Sequence, residues 1–298
     1  MRLLALVLLT AALCGALAAP AQDGPLRQRI KERLRQHAGE RNPGQSARIV
    51  GLDVSFWLPP GGAQKAPLVV FSHGFHGNSL QSTFLMEALA QDGYVVVAPN
   101  HKDAVRKGSH GSLKPELPLT DPGAWTDATF KDRRDDIVAL LQQLQADPEW
   151  DSRVDWSRLA LAGHSLGGYT VLGLAGGWPS WRIPGVKAVL ALSPYANPLV
   201  QKGQLGALGI PVMYQTGTWD KGVEPFLKRD GGAYEKTSAP AYLIDFQGAG
   251  HFAWTDLRRD FQPSITFYCR AFLDKHLFGD KDADPLRRRS DVSVIWHK

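Results

Sequence analysis

Cysteine is scarce: the 298 residues hold two, Cys14 and Cys269. That excludes a small scaffold knitted by disulfides. If the N-terminal segment carrying Cys14 is removed, the mature chain has one thiol and no internal disulfide. No Ser-, Gly- or Pro-rich linker divides the middle, so the length reads as one domain rather than two. After the first 18 residues no apolar run approaches the ~18 needed to cross a membrane. Zinc-ligand spacings, internal repeats and basic stripes interleaved with aromatics are also missing, which argues against a nucleic-acid partner. What is present, 44% hydrophobic and 21% charged residues, suits a soluble domain able to bury a full core. Nothing specifies an oligomer, and a monomer is the expectation.

The first 18 residues read as an address. Arg2, the apolar run Leu3 to Leu13 and the small residues Ala16 and Ala18 fit a cleaved secretory signal, with a second Ala-x-Ala at Ala19 to Ala21 blurring the cut site. The expected location is secreted or periplasmic. A lipid anchor on Cys14 is the rival, disfavoured by Leu13 where such motifs want a small residue. Residues 19–47 follow as a basic arm or helix. Between Gln22 and Arg41 lie Arg27, Arg29, Lys31, Arg33, Arg35 and Arg41 against Asp23, Glu32 and Glu40, so this stretch holds most of the net charge of +5. The body that remains is close to neutral.

From residue 48 apolar segments of strand length alternate with helical patterns. Arg48 to Trp57 mixes apolar and polar residues as an exposed antiparallel strand would, ending at Pro59-Pro60-Gly61. Pro67 to Phe71, Tyr94 to Ala98, Leu159 to Ala162, Val186 to Leu192, Val212 to Gln215 and Tyr242 to Phe246 are apolar enough to be buried on both faces. Helical spacing runs over Leu80 to Gln91, Asp127 to Ala146 and Ser264 to Leu277, and a surface excursion rich in Gly, Pro, Lys and Asp fills His101 to Trp125. The pattern predicts an α/β fold: a mostly parallel sheet covered by helices on both faces, spanning 48–279, with 280–298 as a charged tail.

Gly163-His164-Ser165-Leu166-Gly167-Gly168 stands where a buried strand passes into a helix. A serine on such a strained turn is exposed at the sheet edge, and glycines flank it because side chains there would collide with neighbouring backbone. A hydroxyl is a weak nucleophile at neutral pH, so Ser165 needs a base and a group to orient that base. Of the two histidines downstream, His251 follows a strand within Gly248-Ala249-Gly250, whereas His297 is penultimate. His251 is therefore the candidate base. Asp220, four residues past Thr216 on another strand-end loop, is the candidate acid, with Asp230 and Asp245 as alternatives. Backbone amides of Leu166 and Phe75, the latter in Phe71-Ser72-His73-Gly74-Phe75, are candidates for an oxyanion hole. Phe75, Tyr195, Trp219 and Trp254 are candidate substrate-binding walls. The spacing His73-x-x-His76 lacks a third ligand nearby, so no metal is expected. Cys269 reads as core.

Taken in order, Phe71-Ser72-His73-Gly74, the Ser165 motif, Asp220 and Gly250-His251 resemble the α/β-hydrolase superfamily over about residues 48–279. Lacking a large lid, the chain is similar to dienelactone-hydrolase-like enzymes, bacterial acetylhydrolases related to platelet-activating-factor acetylhydrolase, and cutinase-like polyester hydrolases. Dienelactone hydrolases proper have cysteine in place of Ser165, and polyester hydrolases often carry a C-terminal disulfide that the lone Cys269 cannot form. Pro194-Tyr195 and Phe75 match aromatic positions of the polyester hydrolases. The resemblance implies a serine hydrolase of carboxylic esters that works without a cofactor through Ser165, His251 and Asp220. Amide or peptide cleavage by the same residues, or a non-catalytic binding protein on this fold, are the alternatives.

Overall fold

Nine strands form one sheet in the order β1-β2-β4-β3-β5-β6-β7-β8-β9. The computed structural model describes residues 44–61, 65–105, 114–202 and 204–298. The expected signal segment and nearly all of the basic arm lie outside the described residues. The strands are β1 (Gln45–Ile49), β2 (Leu52–Trp57), β3 (Ala66–Ser72), β4 (Val95–Pro99), β5 (Val154–His164), β6 (Val186–Leu192), β7 (Val212–Gly217), β8 (Ala241–Phe246) and β9 (Val292–His297). From β4 through β8 all neighbours run parallel, while β1, β2 and β9 join antiparallel at the two edges.

Alternation along the central strands divides the core into two layers. Leu68 and Val70 of β3 and Leu159 and Leu161 of β5 face one side. Val69 and Phe71, with Ala160 and Ala162, face the other. Helix α1 (Thr83–Gln91) lies in the second layer through Leu85, Met86 and Leu89. Helix α2 (Lys131–Ala146) covers the first through Ile137, Leu140, Leu141 and Leu144, four positions spaced to line one helical face. Helix α3 (Leu166–Leu172) follows the nucleophile candidate, and α4 (Asn197–Lys202) follows β6. Helix α5 (Gln262–Leu273) packs Tyr268, Cys269 and Phe272 into the second layer. Among the described residues no helix is long and apolar enough to cross a membrane.

Two boundaries shift, β5 beginning at Val154 rather than Leu159 and α2 at Lys131 rather than Asp127, and three further sequence expectations need correction. The single strand expected over Arg48 to Trp57 is a hairpin that starts at Gln45, three residues before the expected domain boundary. Its turn is Val50-Gly51, both with positive φ (46° and 78°), the conformation that matches the twist of a two-residue hairpin. Helix α1 starts at Thr83 rather than Leu80. Its first amides, Thr83 and Phe84, donate to the Asp256 carboxylate at 3.1 and 3.2 Å, a cap supplied from far along the chain. Residues 280–298 are not merely a tail. Val292–His297 pairs along β8 with Val292 buried, and Lys298 and Ala241 exchange backbone hydrogen bonds at 3.0 and 3.1 Å. Without that strand β8 would present an open edge.

Candidate active site

Ser165 occupies the single residue between β5 and α3, with φ 56° and ψ −117°, a conformation that L side chains rarely adopt. Its amide donates to the Leu192 carbonyl at 3.0 Å, and its carbonyl accepts from the Tyr169 and Tyr195 amides at 3.2 and 2.9 Å. The turn is therefore tied to the end of β6 as well as to its own helix. The flanking glycines are required by proximity. A β-carbon on Gly163 would sit 2.3 Å from the Gly167 carbonyl oxygen, and one on Gly167 would sit 1.9 Å from that of Ser72.

Loops from two other strands meet this serine. His251, past the end of β8, places Nε2 2.9 Å from Ser165 Oγ. On the other side of the ring, Nδ1 lies 2.9 Å from Oδ2 of Asp220, a carboxylate 4% exposed on the loop after β7. Asp230 and Asp245 are elsewhere; Asp245 is buried within β8 and pairs with Lys228 at 2.7 Å. The Phe75 and Leu166 amides have no protein acceptor among the described residues. Both residues line the same cleft as Ser165.

Sequence reasoning missed Ser193. At the end of β6, with φ 43°, its hydroxyl donates to Asp220 Oδ2 and lies 2.9 Å from His251 Nδ1. The Nδ1 proton is thus shared by a carboxylate and a hydroxyl that are themselves bonded. Its one sequence-level signal was its place immediately before Pro194-Tyr195.

A second network lies beneath. His164 is buried, and burial, reinforced by the nearby His251, pushes its imidazole down to about 3, so it is neutral. Its Nε2–H donates to the His251 carbonyl at 2.8 Å and its Nδ1 accepts from Gln81 Nε2 at 3.0 Å, which fixes the tautomer. Gln81 Oε1 in turn accepts from the Gly74 amide at 2.9 Å. One glutamine therefore connects the loop carrying Phe75, the serine turn and the histidine loop.

The cleft above Ser165 and His251 has a volume of about 810 Å³. Phe75, Leu119, Pro122, Tyr195, Trp219 and Phe226 give it mostly apolar walls, so the excursion after β4 contributes one side. Tyr195 donates its hydroxyl to the Leu119 carbonyl and packs at a tilt against Trp125, with ring centroids 4.9 Å apart. Of the four expected substrate-binding aromatics, Trp254 is misplaced. It has no exposed surface, donates Nε1–H to Gln215 at 2.9 Å and lies over His164 at 6.3 Å. Its indole is flooring under the site, whereas Trp219, 69% exposed, stands at the rim. Cys269 is in the core, where burial pushes its thiol up to about 12. His73 and His76 do not converge: the His73 ring nitrogens contact the Gly74 carbonyl and the His101 amide, and His76 stacks on Phe75 at 3.8 Å. Among the described residues no group of three His, Cys, Asp or Glu side chains could hold a metal ion.

A serine, an imidazole and a carboxylate brought to the carboxyl edge of a parallel sheet, each from a different strand end, is the arrangement of an α/β hydrolase. The sequence agrees: the chain belongs to the alpha/beta hydrolase family, whose profile matches residues 69–296. The matched span runs through nearly all of β9, so the edge strand lies within the family domain. No curated protein matches the sequence.

Proposed function

We propose that this hydrolase cleaves carboxylic esters through an acyl-enzyme on Ser165. The observation that supports it most directly is the single His251 ring spanning Ser165 Oγ and Asp220 Oδ2 at 2.9 Å on each side. In the proposed cycle Ser165 Oγ attacks the ester carbonyl as His251 Nε2 takes its proton. Asp220 and Ser193 hold the Nδ1 proton and offset the imidazolium charge. The Phe75 and Leu166 amides receive the developing oxyanion, and the protonated His251 releases the alcohol. Water activated by His251 then frees the acid. No cofactor enters this cycle. The apolar walls favour an acyl or aromatic group, as in acetylhydrolases or polyester hydrolases, and the N-terminal apolar run supports export. N-terminal sequencing of the exported protein should begin between residues 19 and 22; an intact Met1 would remove that part.

A fluorophosphonate probe should label Ser165 and leave Ser165→Ala untouched; a folded wild type that resists the probe would sink the proposal. Ser165→Ala and His251→Ala should each lower turnover by on the order of 10⁵ to 10⁶, and Asp220→Ala by less. Rates on p-nitrophenyl esters of rising chain length, alongside an insoluble polyester, separate acetyl esterase, lipase-like and polyesterase behaviour.

A further inference from the structure

Behind the loop that carries Phe75 lies a buried guanidinium that the catalytic cycle does not touch. Arg133, in the first turn of α2, has no exposed surface. Burying an arginine is costly unless its charge is paired and its donors are used. Both conditions hold. Nε and Nη2 grip the two oxygens of Asp103 at 3.0 and 2.7 Å. The remaining reach goes to backbone: Nη1 donates to the His73 carbonyl at 2.7 Å and to Ser72 Oγ at 3.3 Å, and Nη2 donates to the Gly74 carbonyl at 3.3 Å.

The Gly74 carbonyl is the informative partner, because it belongs to the same peptide unit as the Phe75 N–H. A trans peptide is planar, with its C=O and N–H pointing in opposite directions. Whatever fixes one aims the other. Two more donors converge on this oxygen, the Gly77 amide at 2.9 Å and His73 Nδ1 at 2.7 Å. His73 has the right tautomer for this, since its Nε2 accepts from the His101 amide at 3.1 Å and the proton is left on Nδ1. Burial, with Arg133 and His101 alongside, holds His73 well below its ordinary value and hence neutral. On the opposite face Gly74 packs on the serine turn: a β-carbon there would lie 3.3 Å from Ser165 Cβ.

We infer that Arg133 is a positioning residue for the oxyanion hole: by holding the His73 and Gly74 carbonyls it turns the Phe75 N–H toward the serine turn and polarises that peptide. This rests on the proposed ester hydrolysis. Donors on a carbonyl strengthen the N–H of the same amide, so the guanidinium acts on the transition-state charge through the backbone rather than by contact. The consequence is specific. Weakening the arrangement should slow the chemical step while leaving substrate binding in the cleft nearly unchanged.

Removing Arg133 alone strands the Asp103 charge and threatens folding, so the decisive variant is the double substitution Arg133→Met with Asp103→Leu, which removes both charges. Thermal unfolding establishes that it folds. Its kcat on a p-nitrophenyl ester should fall about 10- to 100-fold, less than or comparable to deleting a donor, with KM within about threefold. Arg133→Lys, which keeps the charge but not the fork, should lie between the double variant and wild type. The readout a packing defect would not reproduce is a trifluoromethyl ketone labelled with carbon-13 at its carbonyl. The pKa of its Ser165 hemiketal, read by NMR, should rise in both variants. A folded double variant with wild-type kcat, or a hemiketal titrating as in wild type, overturns the role of Arg133. Should the double variant fail to fold, Arg133→Lys decides by the same titration. A wild type that neither turns over esters nor forms the hemiketal defeats the proposed function first, and this inference with it.

Discussion

Gln81 is the least conspicuous member of the site and the most exposed to a sharp test. Replacing it by leucine removes three hydrogen bonds at once, a long one to Ser82 Oγ among them, and leaves the Gly74 amide and His164 Nδ1 without partners. Both groups lie in buried residues. An orphaned buried group costs about 1–3 kcal/mol, so Gln81→Leu should destabilise the fold by roughly 2–4 kcal/mol, or about 5–15 °C in Tm for a domain of this size. Activity should fall as well, because the same side chain ties the Phe75 loop to His164, and His164 holds the His251 carbonyl at 2.8 Å. Gln81→Glu separates the two effects. An ionised glutamate still accepts from the Gly74 amide but has no proton for His164 Nδ1. With its proton moved to Nδ1 the imidazole loses the bond to the His251 carbonyl, and with both nitrogens protonated it keeps that bond but sets a buried cation beneath His251, which disfavours a second positive charge on that ring. The glutamate variant should thus be nearer wild type than leucine in melting temperature, yet still slowed in kcat. Differential scanning fluorimetry beside steady-state kinetics suffices. If Gln81→Leu melts within a degree of wild type at unchanged kcat, the network carries no weight and the reasoning fails.

Two further outcomes are expected. Acid should destabilise the protein early, because burial holds His73 and His101 well below their ordinary value and His164 at about 3 against 6.5. Below the ordinary value the unfolded chain binds protons that the native state refuses, so stability falls as pH drops below about 6.5. Urea midpoints at pH 7 and 4.5 should draw closer in His164→Gln; an unchanged gap would show that His164 is not among the causes. The two tryptophans should separate cleanly: Trp219→Ala should alter KM and chain-length preference at constant stability, whereas Trp254→Ala should cost about 3–5 kcal/mol by leaving a cavity under His164. The reverse pattern would invalidate the placement of the cleft.

The layered α/β architecture was legible because strands buried on both faces need apolar runs, and β3 to β8 supply them, β5 only in its second half from Leu159 to Ala162. The convergence of Ser165, Asp220 and His251 followed from where loops gather on such a sheet, not from any direct signal of proximity. What escaped was information held by remote partners. Asp256 caps α1 from a distance of about 170 residues, so nothing near Leu80 marks the true helix start. Ser193, Gln81 and Arg133 look ordinary in sequence and acquire meaning only through contacts with residues far along the chain. Trp219 and Trp254 each sit three residues or fewer from a site residue, and adjacency could not say which faced the cleft. The strand β9 was obscured by the run Arg287-Arg288-Arg289 just before it, although Val-Ser-Val-Ile-Trp has the apolar, branched character of a strand.

That last strand has a practical bearing. His251 is borne on the loop leaving β8, and β8 owes one of its two flanks to residues 292–297. Trimming the polypeptide after α5 to obtain a tidier domain would bare a row of main-chain donors and acceptors beside the His251 loop, inviting self-association as it loosens the histidine's footing. The final seven residues, from Val292 to Lys298, are in this sense scaffolding for the chemistry, and shortened or C-terminally fused versions should be judged on turnover as well as on solubility.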